Sequence, residues 1–211
     1  MRKITLFTAT ALLALTGAAF AQQDVATDIT NAQIQKVLKD QPKATDHTLR
    51  VLDLGNYQLG VAVVYRGPTN RPAGARREGP PPGAAQATPC GVTAMPAGSK
   101  PAAAGGISHD DTVETYIVIS GSGTLVTGGQ IMNGRRSAPD SDVTKILNGP
   151  SCSGQIVGNY VARKMVVGDI SVIPAGVAHG WTDITDHVTY LSVRPDPKKV
   201  LEHGYVNPAI K

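Results

Sequence analysis

Short apolar runs recur along this chain, and most alternate with polar residues at the period of two that is typical of β-strands. Gly- and Pro-rich turns separate them, and the stretches 133–141 and 148–154 are polar enough to predict loops. The predicted strands span residues 49–54, 59–65, 115–120, 124–127, 143–147, 164–167, 170–173 and 188–193. Many short strands divided by turn residues predict an all-β domain, either a sandwich or a barrel.

A helical pattern lies on the N-terminal side of these strands. Three apolar residues recur at the i, i+3, i+4 spacing of one buried helix face, namely Ile34, Val37 and Leu38. Thr30 and Gln33 fit a capping box at its start, and Gln41-Pro42 ends it. We also expect one helical turn near 200–203. Together these elements predict a small antiparallel β-barrel or jelly roll with a short N-terminal helix and a short C-terminal helical turn.

The first residues have the features of a secretory signal. Two basic residues, an apolar stretch and an A-x-A cleavage site follow one another within residues 1–21. The alternative is a membrane anchor, but the apolar stretch is short for a span, which takes about 20 residues. No later stretch is apolar for long enough to cross a bilayer. We therefore predict an exported protein, periplasmic or secreted, with no membrane span.

The remaining residues, 22–211, have the length of one domain. The stretch 67–106 is rich in Pro, Gly and Ala and has almost no large apolar residues, so it buries too little surface to offset its ordering entropy. We predict a flexible insertion loop within one barrel. It is not a linker between two domains, because neither flank is complete alone.

The charge of the chain excludes one class of partner. The formal net charge of +4 falls by two units when Arg2 and Lys3 leave with the signal, so the mature chain is close to neutral. Its basic clusters, 71–77 and 198–199, are sparse and lack interleaved aromatic residues. The sequence therefore shows no nucleic-acid footprint.

The chain has two cysteines, Cys90 and Cys152, in segments rich in Gly, Pro and Ser. In an oxidising compartment they could form a disulfide that fastens the long loop to the body of the protein. Two free thiols, or one thiol acting as a ligand, are the alternatives. Spacing alone does not decide between them, because a bridge requires the two Cα atoms to come within bonding reach.

Two local patterns contain the candidate chemistry. They are His109-x4-Glu114-x6-Gly121 and Gly168-x5-Pro174-x-Gly176-x2-His179-x3-Asp183. They resemble the two sequence motifs of the cupin superfamily, and the resemblance covers residues 107–194. The chain departs from the family at two positions. Asp183 stands where the family usually has Asn, and Ile107 stands where the family has the first of two His.

The resemblance implies a single-domain, type 2-like cupin barrel that holds a divalent metal ion (Mn, Fe, Zn, Ni or Cu) through His109, Glu114 and His179. A divalent metal needs three or four N and O donors from different parts of the chain. Glu114 begins one predicted strand, and its side chain shares a face with Tyr116. His179 follows the Pro-x-Gly corner and begins another. If these strands are neighbours, the three side chains converge inside the barrel, which has room for a small-molecule ligand.

Other residues could act at such a site. Tyr116 and His187 are the candidates for proton transfer. His187 has two alternative interpretations, a fourth ligand or a residue without a role at the site. Asp110 and Asp111 are predicted to be surface acids, with replacement of the missing ligand as the alternative. Trp181 and Tyr160 are predicted to pack in the core.

Three functions remain open at this point. The first is a metal-dependent enzyme that acts on a small organic molecule as an oxygenase, isomerase or lyase. The second is a non-catalytic small-ligand-binding barrel with a degenerate or absent metal site, and the third is a structural envelope-associated protein. Neither a G-x-S-x-G nucleophile motif nor a phosphate-binding G-x-x-x-x-G-K-[ST] loop occurs in the chain. The family resemblance further implies pairing of barrels through edge strands into a homodimer.

Overall fold

A computed structural model describes residues 25–69, 88–99 and 105–211. The predicted signal and most of the predicted loop therefore lie outside the described residues. The strands are β1 Asp46–Asp53, β2 Gln58–Arg66, β3 Pro89–Cys90, β4 Gly105–His109, β5 Glu114–Gly121, β6 Gly123–Arg136, β7 Ser151–Met165, β8 Ile170–Ile173, β9 His179–Thr182 and β10 Val188–Asp196. The helices are α1 Asn31–Asp40, a π-helical turn Val143–Leu147 and a 3-10 turn Pro208–Ile210.

The strands form two antiparallel sheets. One has the order β1-β2-β10-β5-β8, and the other has the order β3-β6-β7-β4-β9 with a further pairing of β6 to β9. The sheets share one apolar core, to which the first contributes Tyr116, Val118 and Tyr190 and the second contributes Leu125 and Trp181. The predicted all-β barrel is confirmed. Among the described residues, no helix is long and apolar enough to span a membrane.

Helix α1 lies against the outer face of the first sheet. Its capping box is present, because the Thr30 side chain accepts from the Gln33 amide at 3.2 Å and the Gln33 side chain accepts from the Thr30 amide at 3.0 Å. Val37 is fully buried against Leu49 of β1 and Val63 of β2. The amphipathic pattern therefore predicted both the start of the helix and its buried face.

On one side of the barrel two predicted boundaries and one predicted strand are wrong. Strand β6 continues to Arg136 and β7 begins at Ser151, so parts of both predicted loops are strand. The bulges between Gly128 and Gln130 and between Met132 and Arg135 let this Gly-rich pair bend without ending. The predicted strand 143–147 is a π-helical turn, since its apolar residues recur at i, i+3, i+4 rather than alternately.

The predicted C-terminal helical turn is also displaced. Residues 200–203 are not helical, because the Leu201 amide donates to the Asp196 carboxylate at 2.8 Å and the Glu202 amide donates to the Lys145 carbonyl at 2.6 Å. The turn lies instead at Pro208–Ile210, where the Asn207 side chain accepts from the Ala209 amide.

Cys90 and Cys152 form a disulfide that joins β3 to β7, with their Cα atoms 6.1 Å apart. The two alternatives, free thiols and a thiol ligand, are thereby excluded. The bridge fastens the described part of the 67–106 stretch to the longest strand of the barrel.

Candidate metal centre

The motif residues at the corners of the barrel adopt the left-handed backbone conformation. Gly121, Gly168 and Gly176 have φ of 70°, 91° and 80°, which glycine adopts without a steric penalty. At Gly121 an added Cβ would also lie 2.0 Å from the His187 carbonyl oxygen. Asp183 has φ of 50°, and Asp, like Asn, tolerates this region. Asp183 thus preserves the backbone conformation that Asn would adopt at this corner.

These corners place the two histidines side by side. The Gly176 amide donates to the His109 carbonyl at 2.7 Å, which fastens the Pro-x-Gly corner to β4. Strand β4 then pairs with β9 at Ile107 and His179. As a result His109, at the end of β4, and His179, at the start of β9, reach the same part of the interior.

Glu114 completes a buried cluster with both histidines. Its Oε2 atom lies 3.2 Å from His109 Nε2 and 3.0 Å from His179 Nε2. One candidate ligand atom from each of the three residues lies within 4.8 Å of the others. The three residues are only 1–2% exposed. The structure therefore brings together all three residues that the sequence proposed as ligands.

Hydrogen bonds at Nδ1 fix the orientation of each imidazole. His179 Nδ1 lies 2.9 Å from the Val177 carbonyl, which can only accept, so Nδ1 carries the proton. His109 Nδ1 lies 2.8 Å from Ser151 Oγ, whose own proton goes to the Gly149 carbonyl at 2.8 Å. With these protons at Nδ1, both Nε2 atoms present lone pairs, which is the tautomer that binds metals in proteins. In the opposite tautomer His109 Nε2 donates to Glu114 Oε2 at 3.2 Å.

The Glu114 carboxylate is held from the opposite side. Its Oε1 atom accepts from the Ser192 hydroxyl at 2.8 Å and from Arg194 Nε at 2.9 Å. Its Oε2 atom accepts from the Tyr116 hydroxyl at 2.8 Å. Ser192 and Arg194 are as deeply buried as Glu114 itself. The carboxylate therefore has Oε1 bound by Ser192 and Arg194, whereas Oε2 accepts from Tyr116 and faces the two histidines.

The ionisation states follow from burial and from Arg194. Burial acts to raise the pKa of Glu114, but the positive charge of Arg194 and the contacts with His109 and His179 together outweigh burial and hold that pKa well below its ordinary value. Burial lowers the pKa of His109. Near neutral pH the cluster therefore contains an ionised carboxylate and a neutral His109.

A metal ion fits this arrangement. The buried Nε2 atom of His179 has no hydrogen-bond partner among the described residues. With both Nδ1 atoms protonated, two lone pairs and a carboxylate oxygen face one another, which is unfavourable in a buried site unless a cation lies between them. Two ligand atoms each about 2.1 Å from one ion and about 90° apart are separated by about 3.0 Å. Two His and one carboxylate suit the first-row transition metals and zinc.

The two residues predicted for proton transfer lie in different places. Tyr116 is part of the cluster through its bond to Glu114. His187 lies outside it, half-buried, with Nε2 at 2.8 Å from Ser120 Oγ and Nδ1 at 2.6 Å from Asp186. Its ring also stacks on Tyr65 at 5.8 Å between centroids. These contacts join the turn before β10 to the end of β5.

Asp110 and Asp111 are occupied by ion pairs at the surface. Asp110 pairs with Arg136, and Asp111 lies 2.5 Å from Lys198 Nζ. Neither belongs to the group of residues that could hold a metal. The position of the missing ligand is therefore occupied by Ile107, which shares a face of β4 with His109 and is partly exposed.

Aromatic residues fill the interior beside the cluster. Tyr190 packs between Tyr116 and Trp181, with ring centroids 4.3 Å and 5.2 Å away. Tyr116 also meets the His179 ring edge-on at 5.9 Å. The predicted packing role of Trp181 agrees with its place in the core, and Tyr160 packs against a second apolar cluster. One wall of the metal centre is thus aromatic and rigid.

The sequence reasoning missed three residues that hold the ligands, Ser151, Ser192 and Arg194. The sequence contains an indication for Ser192 and Arg194, because the period of two places both on the same inward face as Tyr190. Ser151 carried none, because it meets His109 only through the pairing of β7 with β4.

A surface pocket of about 380 Å³ lies away from this cluster, between Pro96 and Ser99 on one side and Gln130 and Asn159 on the other. Its lining includes no charged side chain and no imidazole. Among the described residues, the group that could hold a metal therefore lies in the buried cluster and not in this pocket.

The two facing antiparallel sheets, the motif corners and the buried cluster together define a cupin-type barrel with a candidate metal centre. No family model and no curated protein matches the chain. Solved structures that resemble it include a protein from Bacillus halodurans, at 12% identity and a TM-score of 0.39, with 88% of this chain and 92% of that chain covered.

Two further structures are similar at lower scores. One is a recombinant oxalate oxidase in complex with glycolate, at 12% identity and a TM-score of 0.32, with 74% of this chain and 54% of that chain covered. The other is a mannose-6-phosphate isomerase candidate from Ralstonia eutropha JMP134, at 15% identity and a TM-score of 0.31, with 72% and 84% covered. The function of this chain is therefore inferred from its own residues.

Proposed function

We propose that this protein binds a divalent metal ion in its barrel and acts as a metal-dependent enzyme on a small organic molecule. One observation supports this most strongly. Two buried imidazoles, each with its Nδ1 proton engaged elsewhere, direct Nε2 at the same oxygen of an ionised Glu114. Tyr116 already donates to that oxygen, and a cluster built only for stability would not also place two buried Nε2 lone pairs beside it.

His109, Glu114 and His179 would hold the ion, which is Mn, Fe, Zn, Ni or Cu. When bound, such an ion supplies Lewis-acid or redox chemistry to an oxygen of the substrate. The oxygenase, isomerase and lyase classes all remain compatible with this donor set.

Tyr116 is the proton carrier of the proposed site. Burial and the negative charge of Glu114 raise its pKa well above the ordinary value, so the hydroxyl stays protonated and donates to Oε2. It thereby orients the carboxylate and holds a proton next to the ligand atoms. His187 lies outside the cluster, so we assign this role to Tyr116 alone.

We propose that the substrate approaches past Ile107. This side chain lies beside both histidines, has no donor atom and is partly exposed. The opposite wall is closed by Tyr116, Tyr190 and Trp181. An apolar residue in place of a fourth protein ligand leaves coordination positions on its side for a substrate oxygen.

The metal content of the mature protein tests the proposal. We expect about one ion per chain after expression into a periplasm, measured by plasma mass spectrometry, and its loss in Glu114→Gln. The matched control is Asp111→Asn, which alters a nearby carboxylate outside the cluster and is expected to keep the ion. A parent protein that stays metal-free after incubation with each of the five metals would contradict the proposal.

A non-catalytic binding barrel is the second candidate. Two observations favour it: aromatic residues fill the interior, and the three candidate ligand residues are almost completely buried. Metal-loaded protein should be incubated with small organic acids, sugars and phenols, and products sought by mass spectrometry. Retention of a compound without conversion would favour this candidate, whereas conversion that Glu114→Gln abolishes would favour the enzyme.

We further propose export to the periplasm or beyond. The predicted signal and the Cys90–Cys152 disulfide support it, since structural disulfides persist in oxidising compartments. Cell fractionation with N-terminal sequencing tests this, and we expect a mature chain that starts at Gln22. Recovery of the uncleaved chain in a reducing cytoplasm would contradict it.

We also propose a homodimer that pairs through β8. The other edge of that sheet is covered by the chain itself, because the Asn207 amide donates to the Leu49 carbonyl of β1 at 2.9 Å. Among the described residues β8 pairs only with β5, and its Ile170 and Val172 are 58% and 64% exposed. An open apolar edge favours strand pairing. Light scattering should give a dimer that Val172→Lys dissociates, and a monomeric parent would contradict the proposal.

A further inference from the structure

We infer that Arg194 is the positioning residue of the metal centre. It restricts Glu114 to coordination of the metal through Oε2 alone. The inference rests on the proposed metal site and concerns how the protein sets the coordination mode of its carboxylate ligand. The supporting observation is that the buried guanidinium of Arg194 contacts Glu114 Oε1, the carboxylate oxygen that faces away from the histidines.

Every nitrogen of the Arg194 guanidinium has an acceptor. Nε donates to Glu114 Oε1 at 2.9 Å, with Ser192 Oγ also at 3.0 Å. One terminal nitrogen donates to the Leu147 carbonyl at 3.0 Å, and the other donates to the Asp46 carboxylate at 2.6 Å. A planar group held at three sides cannot rotate without losing several bonds, so it is a fixed reference for Glu114.

The two carboxylate oxygens of Glu114 have different hydrogen-bond partners. Oε1 already accepts from Ser192 and Arg194, whereas Oε2 accepts from Tyr116 and faces both Nε2 atoms. Coordination through both oxygens would make the metal compete with these two buried donors for the lone pairs of Oε1, which is unfavourable. Coordination through Oε2 alone keeps every donor paired.

The contacts of Arg194 also require an arginine. The guanidinium spans two carboxylates on different strands, Glu114 on β5 and Asp46 on β1, and reaches the end of the π-helical turn. A lysine ammonium is a compact point charge that cannot hold both carboxylates in one plane. Arg194 therefore connects the ligand to parts of the chain remote from the two motifs.

The test compares Arg194→Lys with Arg66→Met in the full mature chain, with the disulfide intact. Arg66 is a matched control because it is also an inward arginine on the first sheet, but it donates to the Tyr190 hydroxyl at 3.0 Å and does not contact Glu114. Metal affinity is measured by chelator competition. The carboxylate coordination mode is measured by X-ray absorption and by the visible spectrum of the Co(II) form.

We expect Arg194→Lys to bind metal about 10- to 100-fold more weakly, as is usual when a residue behind a metal ligand is lost. We also expect its Co(II) spectrum to change, while Arg66→Met retains the parent affinity and spectrum. A folded Arg194→Lys with the parent affinity and spectrum would overturn the inference.

Ser192→Ala keeps the inference testable if the lysine variant does not fold. It removes the other donor to Oε1 and little volume, so we expect weaker binding and a shift of the Co(II) spectrum in the same direction. An unchanged spectrum in this variant would count against the inference. A parent protein that binds no metal at all would instead refute the proposed function, so the two failures are distinguishable.

Discussion

His179 and His187 lie close together in the sequence, but their surroundings differ in the feature that marks a metal ligand. His187 is 27% exposed and both of its ring nitrogens have polar partners, Asp186 and Ser120. His179 is buried, its Nδ1 is bound to a carbonyl, and its Nε2 has no hydrogen-bond partner among the described residues. Both histidines lie near a carboxylate, so a carboxylate neighbour is not what distinguishes them. The difference is that, among the described residues, the buried Nε2 of His179 has no hydrogen-bond partner, whereas both ring nitrogens of His187 have one.

The largest predicted effect separates these two histidines directly. His179→Ala removes a lone pair from the cluster, and we expect metal affinity to fall by more than about 100-fold, or about 2.7 kcal/mol. His187→Ala removes a link between two turns, and we expect no change in affinity. Chelator competition on both purified variants is the measurement. Equal losses in the two variants would show that the comparison between them is mistaken.

In the metal-free protein, the pH dependence of stability should also distinguish the buried cluster from His187. The folded-state pKa of His109 lies below 6.5 and that of Glu114 lies well below 4.5, so the unfolded chain takes up protons first as the pH falls. Both groups therefore contribute stability above those unfolded values, and the contribution is lost below them. For each proton, the slope is at most about 1.4 kcal/mol per pH unit.

Guanidinium unfolding in the presence of a chelator measures this effect. We expect stability to be constant between about pH 8 and 7 and to fall from about 6.5 downward, with a shallower fall in His109→Asn. The control is His187→Asn, which should follow the parent curve. A parent protein that is equally stable at pH 7 and pH 5 would contradict the burial of a neutral His109.

A gain of affinity is predicted at Ile107. Because its side chain shares a face of β4 with His109 and lies beside His179, Ile107→His is expected to add a fourth nitrogen ligand. We expect about tenfold tighter binding, which corresponds to about 1.4 kcal/mol. Calorimetric titration with Zn²⁺ measures the change, and Ile107→Leu is the control for packing. Equal affinity in the two variants would show that this position does not face the metal.

The smallest effect is predicted for Tyr116→Phe. The ring and its contacts with Tyr190 remain, but Oε2 loses the hydroxyl that donates to it at 2.8 Å. We expect the metal-free protein to lose about 1 kcal/mol of stability, and the metal-loaded protein to lose turnover of any substrate identified in the screen. Tyr190→Phe is the companion variant, since its hydroxyl bonds Arg66 instead. Full turnover in Tyr116→Phe would show that the Tyr116 hydroxyl is not the proton carrier.

Short-range sequence patterns predicted the elements whose conformation depends on only a few neighbouring residues. The capping box at Thr30, the alternating strands and the corner glycines each follow from the conformational preferences of a few neighbouring residues. The Asp at 183 fits for the same reason, because its φ of 50° suits Asp as well as Asn.

Pairing between distant strands explains what the sequence did not show. The bent pair β6–β7 was predicted as strand interrupted by loops, because its bulges contain the same glycines that mark turns. Ser151 meets His109 only through the register of β7 with β4. Arg194 lies on the inward face that the period of two predicts, but the predicted strand 188–193 ends one residue before it, whereas β10 continues to Asp196.

In the proposed site, one ion binds between His109 Nε2, His179 Nε2 and Glu114 Oε2. Anomalous diffraction from crystals of the metal-loaded protein, recorded on both sides of the metal absorption edge, tests it most directly. We predict a single strong anomalous peak about 2.0–2.2 Å from each of these three atoms. A peak at another place, or an ordered cluster with no peak while metal is bound elsewhere, would contradict the account.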